Sequence, residues 1–396
     1  MQKKGCPMVA YKFFEDENVK IVRSLDTNYN FNKKTGYTEM WGRTKDEDIV
    51  YSTVGPHILD MEISTICNGL NGTKRCGYCY KMSNGLNERN MSLDTFKTII
   101  DKMSIDCLKV EFKDGYTCYV NGLSSLPDHL LKKSMVGAYS CRRSVLSQIA
   151  YGSDSTGVAN PEIFAMMDYA RECGIVPNIT VANVSDEIAD KFSKVCGAMA
   201  ISRHGDKDIC YDTVKKLTDR GMDQINIHFV IHKYSKNMAI ETMKDIMTDP
   251  RLSKLNAIVF LSLKKKGNGE KLQSLDQEGF EEIMNFAFEN NIRFGMDSCS
   301  GGKFIKYIKN REDYDKLIKM VEPCESTKIS SYINVDGKFY SCSFCENTDS
   351  FKEGIDVANC SNFVDDVWNH EHTQKWRNNL LQKNSEGCFD CPVFEV

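Results

Sequence analysis

The chain has 396 residues, 41% hydrophobic and 27% charged, the balance of a globular protein able to bury a full core. Its formal net charge of −4 argues against nucleic acid or membrane attraction by overall charge, and the short basic clusters Lys132-Lys133, Arg142-Arg143 and Lys264-Lys265-Lys266 read as solvated surface. No apolar run approaches the ~20 residues of a membrane helix, and the N-terminus lacks the apolar stretch of a signal peptide, so a cytoplasmic location is expected.

Residues 1–56 are polar and read as an irregular N-terminal segment, with "TNYNFNKKTGYTEMWG" the part most like packed structure. From residue 57 strands and helices alternate. "HILDMEIS" reads as a strand and runs directly into a cysteine-rich loop. "SLDTFKTIIDKM" has Leu93, Phe96, Ile99 and Ile100 at helical spacing behind Ser92 as N-cap. "NPEIFAMMDYARECG" opens on Asn160 as cap with Pro161 at the first helical position. The units "PNITVA", "SDEIADKFSKVCG", "AMAIS", "YDTVKKLTDRG", "INIHFVI", "NMAIETMKDIM", "NAIVFLSL", "EGFEEIMNFAFENN" and "IRFGM" continue the rhythm to about residue 300. Several strands are near-continuous apolar runs, as when both faces are buried. Repeated strand–helix units imply an α/β fold with a parallel sheet, open or barrel-like.

Residues 104–146 interrupt the alternation where a short loop would suffice. They contain a hairpin candidate turning at Asp114-Gly115, and an insertion of this length is expected to be a substrate-facing lid. Its Tyr116, Tyr119 and Tyr139 read as packing residues or substrate contacts. After about residue 310 a cysteine-rich tail begins.

Seventeen cysteines in a reducing compartment point to metal binding or catalysis more than to disulfides. Cys173, Cys196 and Cys210 lie in helix-like segments and read as small buried apolar residues. Cys67, Cys76 and Cys79 cluster in the loop after the first strand of the alternation, at the end where α/β folds place active sites. Three thiolates with no local fourth suit an open-site iron–sulfur cluster, whereas a structural zinc wants a closed set of four.

These residues resemble the radical SAM enzymes, which hold a 4Fe-4S cluster with three cysteines in this loop, usually spaced C-x3-C-x-aromatic-C. Here Tyr78 occupies the aromatic slot, and the Cys67–Cys76 interval is five residues longer than usual. The stretch from Gln148 to Asn183 resembles the family's glycine-rich SAM-contacting turn and its flanking strands, with Gly152-Ser153-Asp154-Ser155 in place of G-G-E-P. "AISRHG" resembles the fourth-strand segment, where Ser202 matches a SAM-contacting serine. The resemblance covers about residues 57–300 and implies a partial (β/α)6 barrel over 57–310 that binds S-adenosyl-L-methionine. It also implies reductive cleavage of SAM to a 5′-deoxyadenosyl radical, with a low-potential donor such as flavodoxin or ferredoxin.

In the tail, Cys324-x12-Gly337-x4-Cys342 fits the opening of the SPASM and Twitch extensions of that family. The run of cysteines that a full SPASM domain needs is missing, so the match over 311–396 is to the shorter Twitch form. It implies an auxiliary 4Fe-4S cluster on Cys324, Cys342, Cys388 and Cys391, with "INVDGKFYSC" a hairpin turning at Asp336-Gly337. Cys342-x2-Cys345 with Cys388-x2-Cys391 is equally a four-cysteine zinc pattern, and Cys360 is spare. His228 and His232 lie in strand-like sequence and read as lining residues. Asp297 is either at the chemical end of a strand or a helix cap.

The resemblance implies a radical oxidation or cross-link of a peptide or protein. The alternatives are a small nucleoside, sugar or alcohol substrate and, from another class, a zinc-binding scaffold. Residues 1–56 lack three periodic helices, so no winged-helix peptide-recognition domain is expected there.

Overall fold

The computed structural model describes residues 11–70, 76–81, 88–388 and 390–394. Seven strands form an antiparallel sheet in the order β4-β3-β2-β1-β7-β6-β8. Its first half is β1 (Lys12–Glu15), β2 (Val19–Arg23), β3 (Asn28–Asn32) and β4 (Thr38–Trp41). After β5 (Ile58–Glu62) and α1 (Leu93–Lys102), which belong to the second sheet and its cover, come β6 (Ser104–Phe112), β7 (Thr117–Val120), short α2 (Asp128–Leu131) and β8 (Met135–Ser144). The segment expected to be irregular is therefore a sheet over its described part, and residues 104–146 are the other half of that sheet. The join is antiparallel pairing of β1 with β7, Phe14 opposite Val120.

This sheet docks at the N-terminal ends of the parallel strands. Tyr29 and Phe31 pack on the ring of His57, just before β5. Lys20 Nζ donates to the carbonyl of Ser144 at 2.7 Å and to that of Leu146. Fully buried Glu15 pairs with Lys33 and, at 3.1 Å, with Arg143 Nε. The cysteine loop leaves the opposite end of β5, so the 104–146 insertion is not a lid over it. Tyr116 bonds Asp16 at 2.6 Å and Tyr119 lies under Arg143, so both pack within the antiparallel sheet; exposed Tyr139 belongs to the same sheet.

The second sheet runs β14-β13-β12-β11-β10-β9-β5-β15-β16-β17. Its strands are β9 (Gln148–Gly152), β10 (Val176–Val181), β11 (Ala198–Ser202), β12 (Ile225–Ile231), β13 (Ala257–Ser262), β14 (Phe294–Met296), β15 (Ser330–Ile333), β16 (Lys338–Tyr340) and β17 (Ile355–Asp356). Helices α3 (Ile163–Glu172), α4 (Asp186–Val195), α5 (Lys207–Thr218), α6 (Lys236–Thr248) and α7 (Gln277–Glu289) alternate with them. After α8 (Gly301–Ile308) come α9 (Tyr314–Leu317) and, last, α10 (Glu371–Ser385). Strands β5 and β9 to β14 pair in parallel, as the alternation predicts. The sheet is open, with β14 at one edge and β17 at the other.

Ser92 and Ser185 cap α1 and α4 through their side chains, accepting from Thr95 and Ile188. Asn160 does not cap α3, which starts at Ile163. It is buried in the turn before the helix, accepting the Glu162 N–H (2.9 Å) and donating to the carbonyls of Ile63 (2.9 Å), just after β5, and Met91 (2.8 Å), just before α1.

Met199, Ala200 and Ile201 of β11 are buried in succession, but other strands bury one face only. In β12, Ile225, Ile227, Phe229 and Ile231 are buried, while Asn226, His228 and Val230 are only partly so. The apolar set packs under the helices in one large core that also contains Leu59, Met61, Ile149, Ile179, Ile201 and Phe260. The other face carries Asp60, Thr180 and His228 and reaches solvent. The tail extends this sheet, since β15 pairs in parallel with β5 and turns through Gly337 (φ +74°) into β16. The predicted Asp336-Gly337 and Asp114-Gly115 turns are both present.

Candidate active site

Cys67, Cys76 and Cys79 lie past the C-terminal end of β5; residues 71–75 between them are outside the described set. Cys67 Sγ accepts the Gly69 N–H at 3.4 Å. The Cys79 N–H donates to the Cys76 carbonyl at 3.1 Å, a tight turn that brings these two cysteines together. Burial pushes the Cys76 thiol up to about 11, and the neighbouring Cys79 and Cys67 add to the rise. Two distant segments hold the loop. Asn268, after β13, donates its side-chain amide to the Cys76 carbonyl and its backbone N–H to the Cys79 carbonyl, both at 3.0 Å. His204, after β11, stacks on Tyr78 (ring centroids 5.6 Å apart) and bonds its hydroxyl at 2.7 Å through Nδ1. Its Nε2 lies 3.8 Å from Cys76 Sγ. Burial first, then Arg203, holds the His204 pKa down at about 4, so its imidazole is neutral. His204 was not legible as a site residue in the sequence, because its partners come from a loop more than a hundred residues away.

The Gly152–Ser155 turn abuts this loop. The Gly152 carbonyl accepts the Ile63 N–H at 2.9 Å, and Ser155 Oγ donates to the Gly69 carbonyl at 2.7 Å. Asp154 accepts from the Thr156 hydroxyl (2.8 Å) and the Ala159 N–H (3.2 Å), and Ser153 Oγ lies 3.5 Å from it. Its carboxylate therefore shapes the turn. Ser202 ends β11, in register with His228 of β12.

On the inner face of the sheet, the loss of hydration in the recess between the strand ends raises Asp60 to about 6, exposed at its tip as it is, and lowers His228 to about 4. His228 Nδ1 meets Thr180 Oγ1 at 3.4 Å, and His232 follows the strand, so the two histidines do not form a metal pair. Asp297 is no side-chain helix cap. It accepts from the Ser262 N–H (3.3 Å), from Ser300 Oγ (2.5 Å) and from buried Lys264 Nζ (3.0 Å). Lys81, beside the cysteine loop, joins Glu62 (3.2 Å) and Glu346, and Asn334 donates to Glu346 at 2.7 Å.

The tail sulfurs form a second group. Cys342 and Cys345 Sγ are 3.3 Å apart. Cys324 faces Cys342 and Cys391, and its burial pushes it up to about 12. Cys391 is hydrogen-bonded to Cys299, in the turn after β14; that shared bond lowers Cys391 and raises Cys299, so the two thiols titrate as a pair. Burial works against the charge of Lys264, but Asp297 and Cys299 hold its pKa above the usual lysine value. Cys299 has no motif spacing and is recognisable only in three dimensions. Cys388, also expected in this group, follows α10: its N–H donates to the Lys383 carbonyl at 2.9 Å beyond Gly387 (φ +76°).

Among the described residues, no three His, Cys, Asp or Glu side chains close around a point as a finished metal cage, and no disulfide joins the described cysteines. The donor chemistry nonetheless fits iron–sulfur clusters at both places. Each offers soft thiols gathered at strand ends, and Lys264 offsets thiolate charge at the second. The described residues contain no helix long and apolar enough to cross a membrane.

No family model and no curated protein matches the chain. Among solved structures, SuiB of Streptococcus suis aligns over 98% of this chain and 100% of its own, with a TM-score of 0.60 at 12% identity. SuiB bound to S-adenosylmethionine aligns over 86% of this chain and 75% of its own, with a TM-score of 0.53 at 14% identity. The chain thus shares the fold of SuiB.

Proposed function

We propose that this chain is a radical SAM enzyme, with Cys67, Cys76 and Cys79 holding a 4Fe-4S cluster and Tyr78, Gly152, Ser153, Asp154, Ser155 and Ser202 lining the SAM pocket. One observation carries the reading: the cysteine loop meets the Gly152–Ser155 turn, through the 2.7 Å Ser155–Gly69 bond, in a fold shared with a protein crystallised with SAM. A cluster held by these thiolates would supply the electron for splitting SAM to methionine and a 5′-deoxyadenosyl radical able to take a hydrogen atom from substrate. The protein's own part is placement. Three thiolates leave one position without a protein ligand, Asn268 and His204 fix the loop, and the inner face with Asp60, Thr180 and His228 receives substrate beside it.

The tail sulfurs are assigned an auxiliary cluster, which would offer an acceptor for the electron left after hydrogen removal, for a net two-electron oxidation or cross-link of a peptide or protein. Flavodoxin or ferredoxin is the proposed electron donor. Metal analysis of protein purified without oxygen tests both assignments: about eight irons and eight sulfides per chain are expected. About four irons with one zinc would make the tail a structural zinc domain, a role the close Cys342–Cys345 pair also suits. Zinc alone would end the radical reading. Cys76→Ala is expected to abolish 5′-deoxyadenosine formation, and persistent formation would refute the cluster assignment.

A further inference from the structure

The fourth thiol of the tail group comes from an unexpected place. The Cys388 backbone ends α10, and the sulfur contacts of the tail group among the described residues join Cys299, Cys324, Cys342, Cys345 and Cys391. Cys299 is hydrogen-bonded to Cys391, and Cys391 and Cys342 both face Cys324. Two independent features hold Cys299 in this position. Asp297 fixes the turn through Ser300 Oγ and the Ser262 N–H. Buried Gly302, three residues on, lies against Asp390, next to Cys391: a β-carbon there would stand 2.2 Å from the Asp390 carboxylate oxygen and 3.7 Å from its backbone nitrogen. Lys264 reaches the same place with its ammonium beside Asp297 and near Cys299 and Cys391.

We infer that Cys299, from the parallel-sheet part of the chain, is a ligand of the tail cluster in the place that spacing gives to Cys388, so that Cys299, Cys324, Cys342 and Cys391 hold it. The cluster then staples the tail to the loop after β14. This assignment rests on the reading that the tail holds a cluster.

The test uses the full chain with Cys67, Cys76 and Cys79 all changed to Ala, reconstituted with iron and sulfide without oxygen. Retention of about four irons, with the absorption and EPR signals of a cubane, supports a tail cluster; zinc or no metal removes that reading and this inference with it. Adding Cys299→Ala should abolish the iron, and adding Cys388→Ala should leave it. Iron kept by Cys299→Ala but lost with Cys388→Ala or Cys345→Ala overturns the inference while leaving a tail cluster in place. A Cys299–Cys391 disulfide in anaerobically purified protein, seen by peptide mapping, also overturns it. As a folding control, Cys299→Ala in the otherwise unchanged chain should keep the about four irons of the first cluster; loss of both clusters together would refute a role confined to the tail.

Discussion

Tyr80 and Phe344 pack with ring centroids 4.5 Å apart, joining the residue after Cys79 to the residue before Cys345. Lys266 reinforces the join by donating to the Phe344 carbonyl at 3.0 Å and to that of Glu346, and Asn268 two residues on holds the Cys76–Cys79 turn. Strands β5 and β13 are five positions apart in the sheet, about 24 Å if it were flat. Their loops meet all the same, so the two cysteine groups share one rim. Phe344→Ala removes the aromatic pair and the face that Lys264 lies over, and is expected to cost about 1–3 kcal/mol. Thermal denaturation checks this, with Phe344→Leu expected to lose less than Phe344→Ala. Equal stability of Phe344→Ala and the parent would mean that the contact contributes nothing.

Gly267 sits at φ +60°, where a β-carbon would lie 2.6 Å from the Cys79 carbonyl oxygen. Gly267→Ala should therefore push the cysteine loop away while leaving the sheet intact. The expected result is unchanged circular dichroism with loss of about four of eight irons on reconstitution. Full iron content would show that the loop absorbs the extra atom.

His204 stays neutral at physiological pH because burial depresses its pKa, and its Nε2 faces Cys76 Sγ. With a cluster bound, a hydrogen bond to the sulfur would make reduction easier. His204→Phe is expected to lower the midpoint potential of the first cluster, and His204→Gln to restore part of it, in an EPR-monitored redox titration. Identical potentials in all three proteins would reduce His204 to a packing partner of Tyr78.

His57 joins the two sheets, with Nε2 3.2 Å from Thr38 Oγ1 and Nδ1 2.9 Å from Ser147 Oγ. Burial lowers its pKa to about 3 from the usual 6.5. The unfolded chain therefore takes up a proton more readily between those values, and stability falls as the pH drops from 6.5 towards 3. At pH 5 the loss from this group is about 2 kcal/mol. Urea denaturation at pH 7.5 and pH 5 measures it, and His57→Asn should flatten that part of the profile. An unaltered slope in the variant would assign the acid sensitivity elsewhere.

Local chemistry made much of this protein legible before folding. Helical spacing behind Ser92 located α1, strand–helix alternation located α4 and the parallel sheet, and the cysteine spacing with Tyr78 marked the loop after β5. Each of these signals is written within a dozen or so neighbouring residues. Asn160 shows the limit, because its amide also found the buried carbonyls of Ile63 and Met91, from distant segments, and the helix began three residues later.

What only tertiary structure decided are pairings between residues far apart in the chain. The β1–β7 ladder turned an apparent lid into half of a sheet at the far end of the parallel strands. The open inner face, rather than burial on both sides, gave β12 its alternation. His204 met Cys76, and Cys299 met Cys391, because loops from separate strands converge on one rim. Spacing in a sequence records which residues are neighbours along the chain, while a cysteine with no motif around it acquires its partners only when the sheet brings distant strand ends together.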